Sequence, residues 1–177
     1  RKLMRSIHER GHKIGLHPSY HTYCSPTLLK QEFSKLLQVC EKENISQDEW
    51  GGRHHYLRWK ASETWQHWND VGLNFDSTLS FADHEGFRCG VCYDYPVFNL
   101  LLSKDLSLRE VPLIVMDGTI LGSNYRNLGA EEALENIIQL TGLVKKYDGT
   151  FTLLWHNNFL LGEKLEKLYK RVIISIV

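Results

Sequence analysis

The strongest constraint on this chain is an alternation: brief apolar stretches take turns with segments whose apolar residues recur at helical spacing. Residues 2–10 read as a helix stopped by Gly11, and 13–16 as a short strand running into His17 and Pro18. Ser25 and Pro26 supply an N-cap and a first helical residue; Leu28, Leu29, Phe33, Leu36, Leu37 and Cys40 then recur at helical spacing. The chain turns extended over 51–56 and helical over 61–71, where Trp65 and Trp68 share a face. Phe75 and its neighbours form a brief strand after Gly72, and residues 77–104, rich in glycine and aromatics, predict long loops. A strongly apolar strand follows at 111–116, with Pro112 in its tolerated first residues. A helix over Ala130–Lys146, a strand at 151–155 and an amphipathic helix over Glu163–Ile176 complete the pattern.

Strands that alternate with helices predict a parallel sheet in an α/β fold. The 177 residues, 42% of them hydrophobic, are enough for one domain spanning 1–177 with a sizeable core. They fall short of the roughly 250 residues of a complete eightfold barrel. A partial or seven-stranded (β/α) barrel lacking its first unit is therefore expected, in preference to a doubly wound sheet. The chain opens at Arg1 in what reads as mid-helix, so an upstream segment is expected as well.

Charge excludes some functions. Lys plus Arg number 21 and Asp plus Glu 21, so no basic surplus points to nucleic acid. The apolar run 172–177 is far shorter than the roughly 20 residues a membrane-spanning helix needs. No signal peptide is read, and free thiols suit a reducing compartment, so a cytoplasmic location is expected. Among Cys24, Cys40, Cys89 and Cys92 only the last two have motif spacing. They lack the second pair a zinc knuckle needs, and Tyr93-Asp94-Tyr95-Pro96 is a poor helix start for a redox motif.

In a parallel α/β fold the strand C-termini converge on one rim, where sites are built. His17 ends the first strand, the segment from Arg53 to Tyr56 the second, Asp76 the third, Asp117 a later one and His156 the last. Pro18 keeps His17 out of helical geometry and can open a turn that returns His21 to the same side. Two such imidazoles can grip a zinc-like divalent ion, or can be an ordinary surface pair. His156, directly after a buried strand, is either a hydrogen-bonded core histidine or a general acid. Arg53 could orient a carboxylate, and Tyr56 or Trp59 could face a sugar ring.

At these residues the sequence resembles the polysaccharide deacetylase (NodB-like, carbohydrate esterase 4) superfamily, in the branch found near surface-polysaccharide genes. His17-Pro18-Ser19-Tyr20-His21 looks like the motif H-[ST]-x-x-[HS], with Pro18 at the Ser or Thr position. Arg53-His54-His55-Tyr56 is similar to R-x-P-[YW], with His55 in place of Pro, and Leu154-Trp155-His156 resembles the closing L-x-H. Phe75-Asp76-Ser77-Thr78-Leu79, Gly86-Phe87-Arg88-Cys89-Gly90 and Ile114-Val115-Met116-Asp117-Gly118 resemble further stretches of that branch. The resemblance implies a distorted seven-stranded (β/α) barrel, here missing its first strand, and hydrolytic N- or O-deacetylation of an acetylated polysaccharide with a divalent metal, zinc above all. It implies His17 and His21 as metal ligands, His156 as general acid and Arg53 as the group that orients a catalytic Asp. Substrate contacts then fall to His55, Tyr56, Asp76 and Arg88, with the Tyr56 backbone N–H at the oxyanion.

The family's first motif, T-F-D-D, should lie upstream of Arg1. Without it the chain is expected to be inactive, or to be complemented by a partner or by a neighbouring acid such as Asp76 or Asp117. Two other readings compete with the enzyme. One is a non-catalytic carbohydrate-binding remnant that uses Tyr56, Trp59 and Phe87. The other is a thiol oxidoreductase at Cys89 and Cys92.

Overall fold

Helices form where the apolar spacing and the caps agree. In the computed structural model, which describes residues 1–176, α1 (Lys2–Glu9) ends where Gly11 adopts φ +83°, the left-handed geometry a helix C-terminus favours. α2 (Pro26–Lys42) starts at the Ser25 side chain, which accepts from the Leu28 N–H at 3.4 Å. The expected 61–71 helix is the shorter α3 (Glu63–Asp70).

Strands are briefer than the apolar runs. β1 (Gly51–Gly52), β2 (Phe75–Asp76), β3 (Tyr95–Asn99) and β4 (Lys104–Glu110) make one four-stranded sheet of order β1-β2-β4-β3. The β1–β2 and β2–β4 pairings are parallel and β3–β4 is antiparallel. β5 (Val115–Met116) runs directly into α4 (Asp117–Leu121), and pairs in parallel with β6 (Leu153–Leu154) beyond α5 (Ala130–Lys146). α6 (Glu163–Ile176) follows.

The described strands number six and do not close into a seven-stranded barrel. Of residues 13–16 only Leu16 bridges, to Gly52, and of 111–116 only the last two join a ladder. The run before Val115 is apolar because it is buried: Leu113 and Ile114 are 1% and 0% exposed, and their N–H groups reach Leu79 and Thr152 carbonyls outside any extended ladder. The β3–β4 hairpin occupies chain that the sequence predicted as loop. Val97 and Asn99 alternate inward on β3, and Leu106, Leu108 and Glu110 on β4. The Asn99 side-chain Oδ1 caps the turn by accepting from the Leu101 and Leu102 N–H groups.

The chain forms two compact units. The first comprises 1–78 and 95–111, the second 79–94 and 112 onward. In the first, Leu16, Leu29, Phe33, Trp68, Leu73, Val97, Leu106 and Leu108 form the core. In the second, Ile114, Val115 and Ile120 meet Leu134, Ile137 and Val144 of α5 and Leu168 and Val172 of α6. No described helix is long and apolar enough to cross a membrane.

Candidate active site

In the first unit the sheet register sets the site. Leu16 pairs with Gly52, Gly52 with Asp76, and Asp76 with Glu110. The side chains that end these four runs therefore collect along one edge. Gly52 permits it, since a Cβ there would collide with the Leu16 carbonyl. The Leu16 carbonyl instead accepts from the Arg53 N–H at 3.0 Å.

His17 and Arg53 meet directly. The His17 Nδ1–H donates to the Arg53 carbonyl at 2.8 Å, which leaves the ring's lone pair on Nε2. His55 Nδ1 lies 3.1 Å from that Nε2, with the two rings nearly perpendicular. Tyr56 and Leu57 follow at φ +57° and +51°. Left-handed backbone at two successive bulky residues stores strain of the kind that collects at functional sites. It leaves Tyr56 77% exposed, edge-on to Tyr20 and His55. Arg58 lies 3.9 Å from the centroids of both the Tyr20 and Tyr23 rings, a double cation–π contact. The His21 ring is edge-on to Tyr20 at 5.0 Å.

Beneath this edge lie a half-buried guanidinium and a buried carboxyl. Arg53 donates to the Ser77 carbonyl at 2.6 Å and to Ser77 Oγ at 2.7 Å. Burial lowers its guanidinium to about 10, against the pull of Asp76 and Glu110. Asp76 is fully buried; Thr78 Oγ donates to its Oδ1, and its Oδ2 has no hydrogen-bond partner. Burial raises Asp76 to about 7, opposed by the Thr78 bond and by Arg53. In the unfolded chain this carboxyl would lose its proton near 3.8. Between the two values the folded chain binds more protons, so the contribution is present below about pH 4 and lost as pH rises to about 7. Asp76→Asn is therefore expected to gain stability relative to the natural chain as pH rises through this window. Urea unfolding of both proteins at about pH 4.5 and about pH 7.5 measures the difference.

His54 turns the other way from His55. It is 1% exposed, accepts from the Trp68 indole N–H at Nε2, and donates from Nδ1 to Thr22 Oγ at 3.3 Å. The Thr22 hydroxyl itself donates to the Ser19 carbonyl, which fixes that direction. Burial, with His17 and His67 nearby, depresses His54 to about 3, so it is a neutral core group.

The second unit carries a different pair. Asp117, fully buried at the start of α4, accepts from the Gly118 N–H at 2.6 Å and the His156 N–H at 2.5 Å. The His156 Nδ1–H donates to Asp117 Oδ1 at 2.6 Å. The ring is thereby held with Nε2 as the nitrogen that can exchange a proton, and its side chain is 45% exposed. Sequence reasoning placed Asp117 at a strand end without pairing it to His156, 39 residues away. Arg88 is exposed and donates to the Ser80 carbonyl at 2.7 Å. Cys92 is 7% exposed in the apolar core, where a thiol acts as a small hydrophobe.

Zinc suits imidazole donors, and a metal-binding histidine typically donates its other N–H to a carbonyl or carboxylate, as His17 does. Among the described residues no three His, Cys, Asp or Glu side chains gather as a metal site. The imidazole donors that this edge does bring together are two, His17 and His55, 3.1 Å apart.

The chain shares its mixed α/β fold with a crystal structure of a "putative polysaccharide deacetylase" from Mycobacterium smegmatis, at a TM-score of 0.71 and 15% identity. The match covers 99% of this chain, which spans 60% of that protein's length. No family model and no curated protein matches the chain.

Proposed function

We propose that this chain is the hydrolytic part of a metal-dependent carbohydrate deacetylase that removes N- or O-acetyl groups from the sugars of a polysaccharide. The observation that carries the reading is the buried Asp117 aligning His156, within a fold shared with a protein described as a polysaccharide deacetylase. In the hydrolysis, water adds to the acetyl carbon and gives up a proton to solvent, the C–N or C–O bond breaks, and the His156 imidazolium donates its Nε2 proton to the departing sugar nitrogen or oxygen. Arg53 steers a carboxyl at the first unit's edge, and the Tyr56 N–H steadies the oxyanion. The exposed His55 and Tyr56 contact the sugar, whereas Asp76, fully buried, lies beneath that edge and does not reach it.

A zinc-like ion is held at His17, with a second imidazole from His21, as the motif resemblance implies, or from His55, which lies against it. The chemistry such an ion supplies when bound is Lewis acidity and a water acidic enough to react near neutral pH.

The expected result is acetate release from an acetylated chito-oligosaccharide or an aryl acetate by the zinc-loaded chain, lost in His156→Ala. Zinc-loaded protein that releases no acetate from either substrate would overturn the reading. The exposed faces of Tyr20 and Tyr56 favour a second one, a carbohydrate-binding remnant of the fold. Glycan binding that survives chelator and His17→Ala, without acetate release, would support it.

A further inference from the structure

We infer that His55, rather than His21, is the imidazole that shares a divalent ion with His17. The inference rests on the metal-dependent reading of the site and names one of its ligands. The His17 lone pair is on Nε2, because Nδ1–H donates to the Arg53 carbonyl at 2.8 Å. His55 Nδ1 is 3.1 Å from that Nε2. Two nitrogens bound about 2.0–2.1 Å from a tetrahedral zinc lie about 3.3 Å apart, so the pair already stands close to the edge length of such a site. Without an ion, one proton fills the gap, donated by His55 Nδ1 to His17 Nε2; with an ion, that proton passes through solvent to His55 Nε2.

The backbone holds His55 there. His54 is anchored in the core by Trp68 and Thr22, and the left-handed Tyr56 and Leu57 end the extended run just beyond His55. Both imidazoles are exposed, so an ion can reach them. His21 precedes the 3-10 turn Thr22–Cys24 and presents its ring to Tyr20.

Titration with Co(II), read by visible absorbance, followed by Zn(II) competition, tests the assignment on the natural chain and on His17→Ala, His21→Ala and His55→Ala. All three side chains are exposed, and far-ultraviolet circular dichroism checks each fold. The expected result is a Kd raised at least about tenfold by His17→Ala and by His55→Ala, and little changed by His21→Ala. Loss with His21→Ala and retention with His55→Ala would overturn the inference while leaving the metal reading standing. Equal affinity in all four proteins would place the ion elsewhere and overturn it too. Absence of Co(II) and Zn(II) binding by the natural chain would overturn the metal reading, and the inference with it.

Discussion

Asp117→Asn is expected to lower acetate release by about 10²–10⁴-fold, or about 3–5 kcal/mol of transition-state stabilisation, with the fold retained. Three N–H groups converge on the Asp117 carboxylate: those of Gly118, the His156 backbone and His156 Nδ1. A carboxylate accepts all three; an amide of the same shape must turn an NH₂ towards at least one of them. The least costly escape is for the imidazole to give up its Nδ1 proton and carry it on Nε2, or to rotate away. Either change removes the orientation that makes Nε2 the proton-exchanging atom. The ¹⁵N shifts of His156 report the tautomer directly, which a merely structural role for Asp117 would leave unmoved. Full activity together with a changed tautomer would remove His156 from the chemistry. An unchanged tautomer with reduced activity would assign Asp117 a different role.

Legibility in the sequence followed the physics of each element. α5 and α6 have the bounds that their helical spacing predicts, because long amphipathic stripes have few alternatives. Ser25 and Pro26 marked the start of α2 for the same kind of local reason. The strands were less legible, because a buried run such as 111–114 need not be a ladder, and burial alone makes it apolar. The β3–β4 hairpin was readable in principle from Leu106, Leu108 and Glu110 alternating inward, but Glu110 breaks the apolar pattern by being a buried, indole-bonded carboxyl. Pro96 and the Asn99-capped turn disguised its partner as loop.

The site divides in a similar way. His17 and Arg53 were placed at strand ends by the pattern, and the register sets them side by side. The opposite fates of His54 and His55 were invisible, since nothing local distinguishes two adjacent histidines. Only the extended backbone at His54, followed by the left-handed Tyr56, turns one inward and leaves the other exposed. The Asp117–His156 pair spans 39 residues, so no local spacing rule could find it.

The inward histidine leads to the largest expected stability effect. Trp68→Ala is expected to cost about 3–5 kcal/mol for the lost indole and its cavity, because Trp68 is 0% exposed at the centre of the first unit's core. It also removes the indole N–H from which His54 Nε2 accepts, and an unsatisfied buried acceptor adds about 1–3 kcal/mol. Trp68→Phe keeps most of the volume and loses mainly the donor, so it separates the two contributions. Against a typical stability of about 5–15 kcal/mol, the alanine variant should be close to unfolding, whereas the phenylalanine variant should fold. The pH dependence supplies the discriminating readout. His54 is depressed to about 3 from 6.5, so it contributes stability above the higher value that is lost as pH falls towards the lower. That trend runs opposite to the one from Asp76, so only differences between variant and natural chain isolate it. If the indole bond holds His54 neutral, Trp68→Phe should be less stable than the natural chain by a margin that changes between about pH 7.5 and about pH 5 in urea unfolding. A margin that stays constant with pH would mean that burial alone fixes the His54 proton, and that Trp68 contributes volume rather than its hydrogen bond.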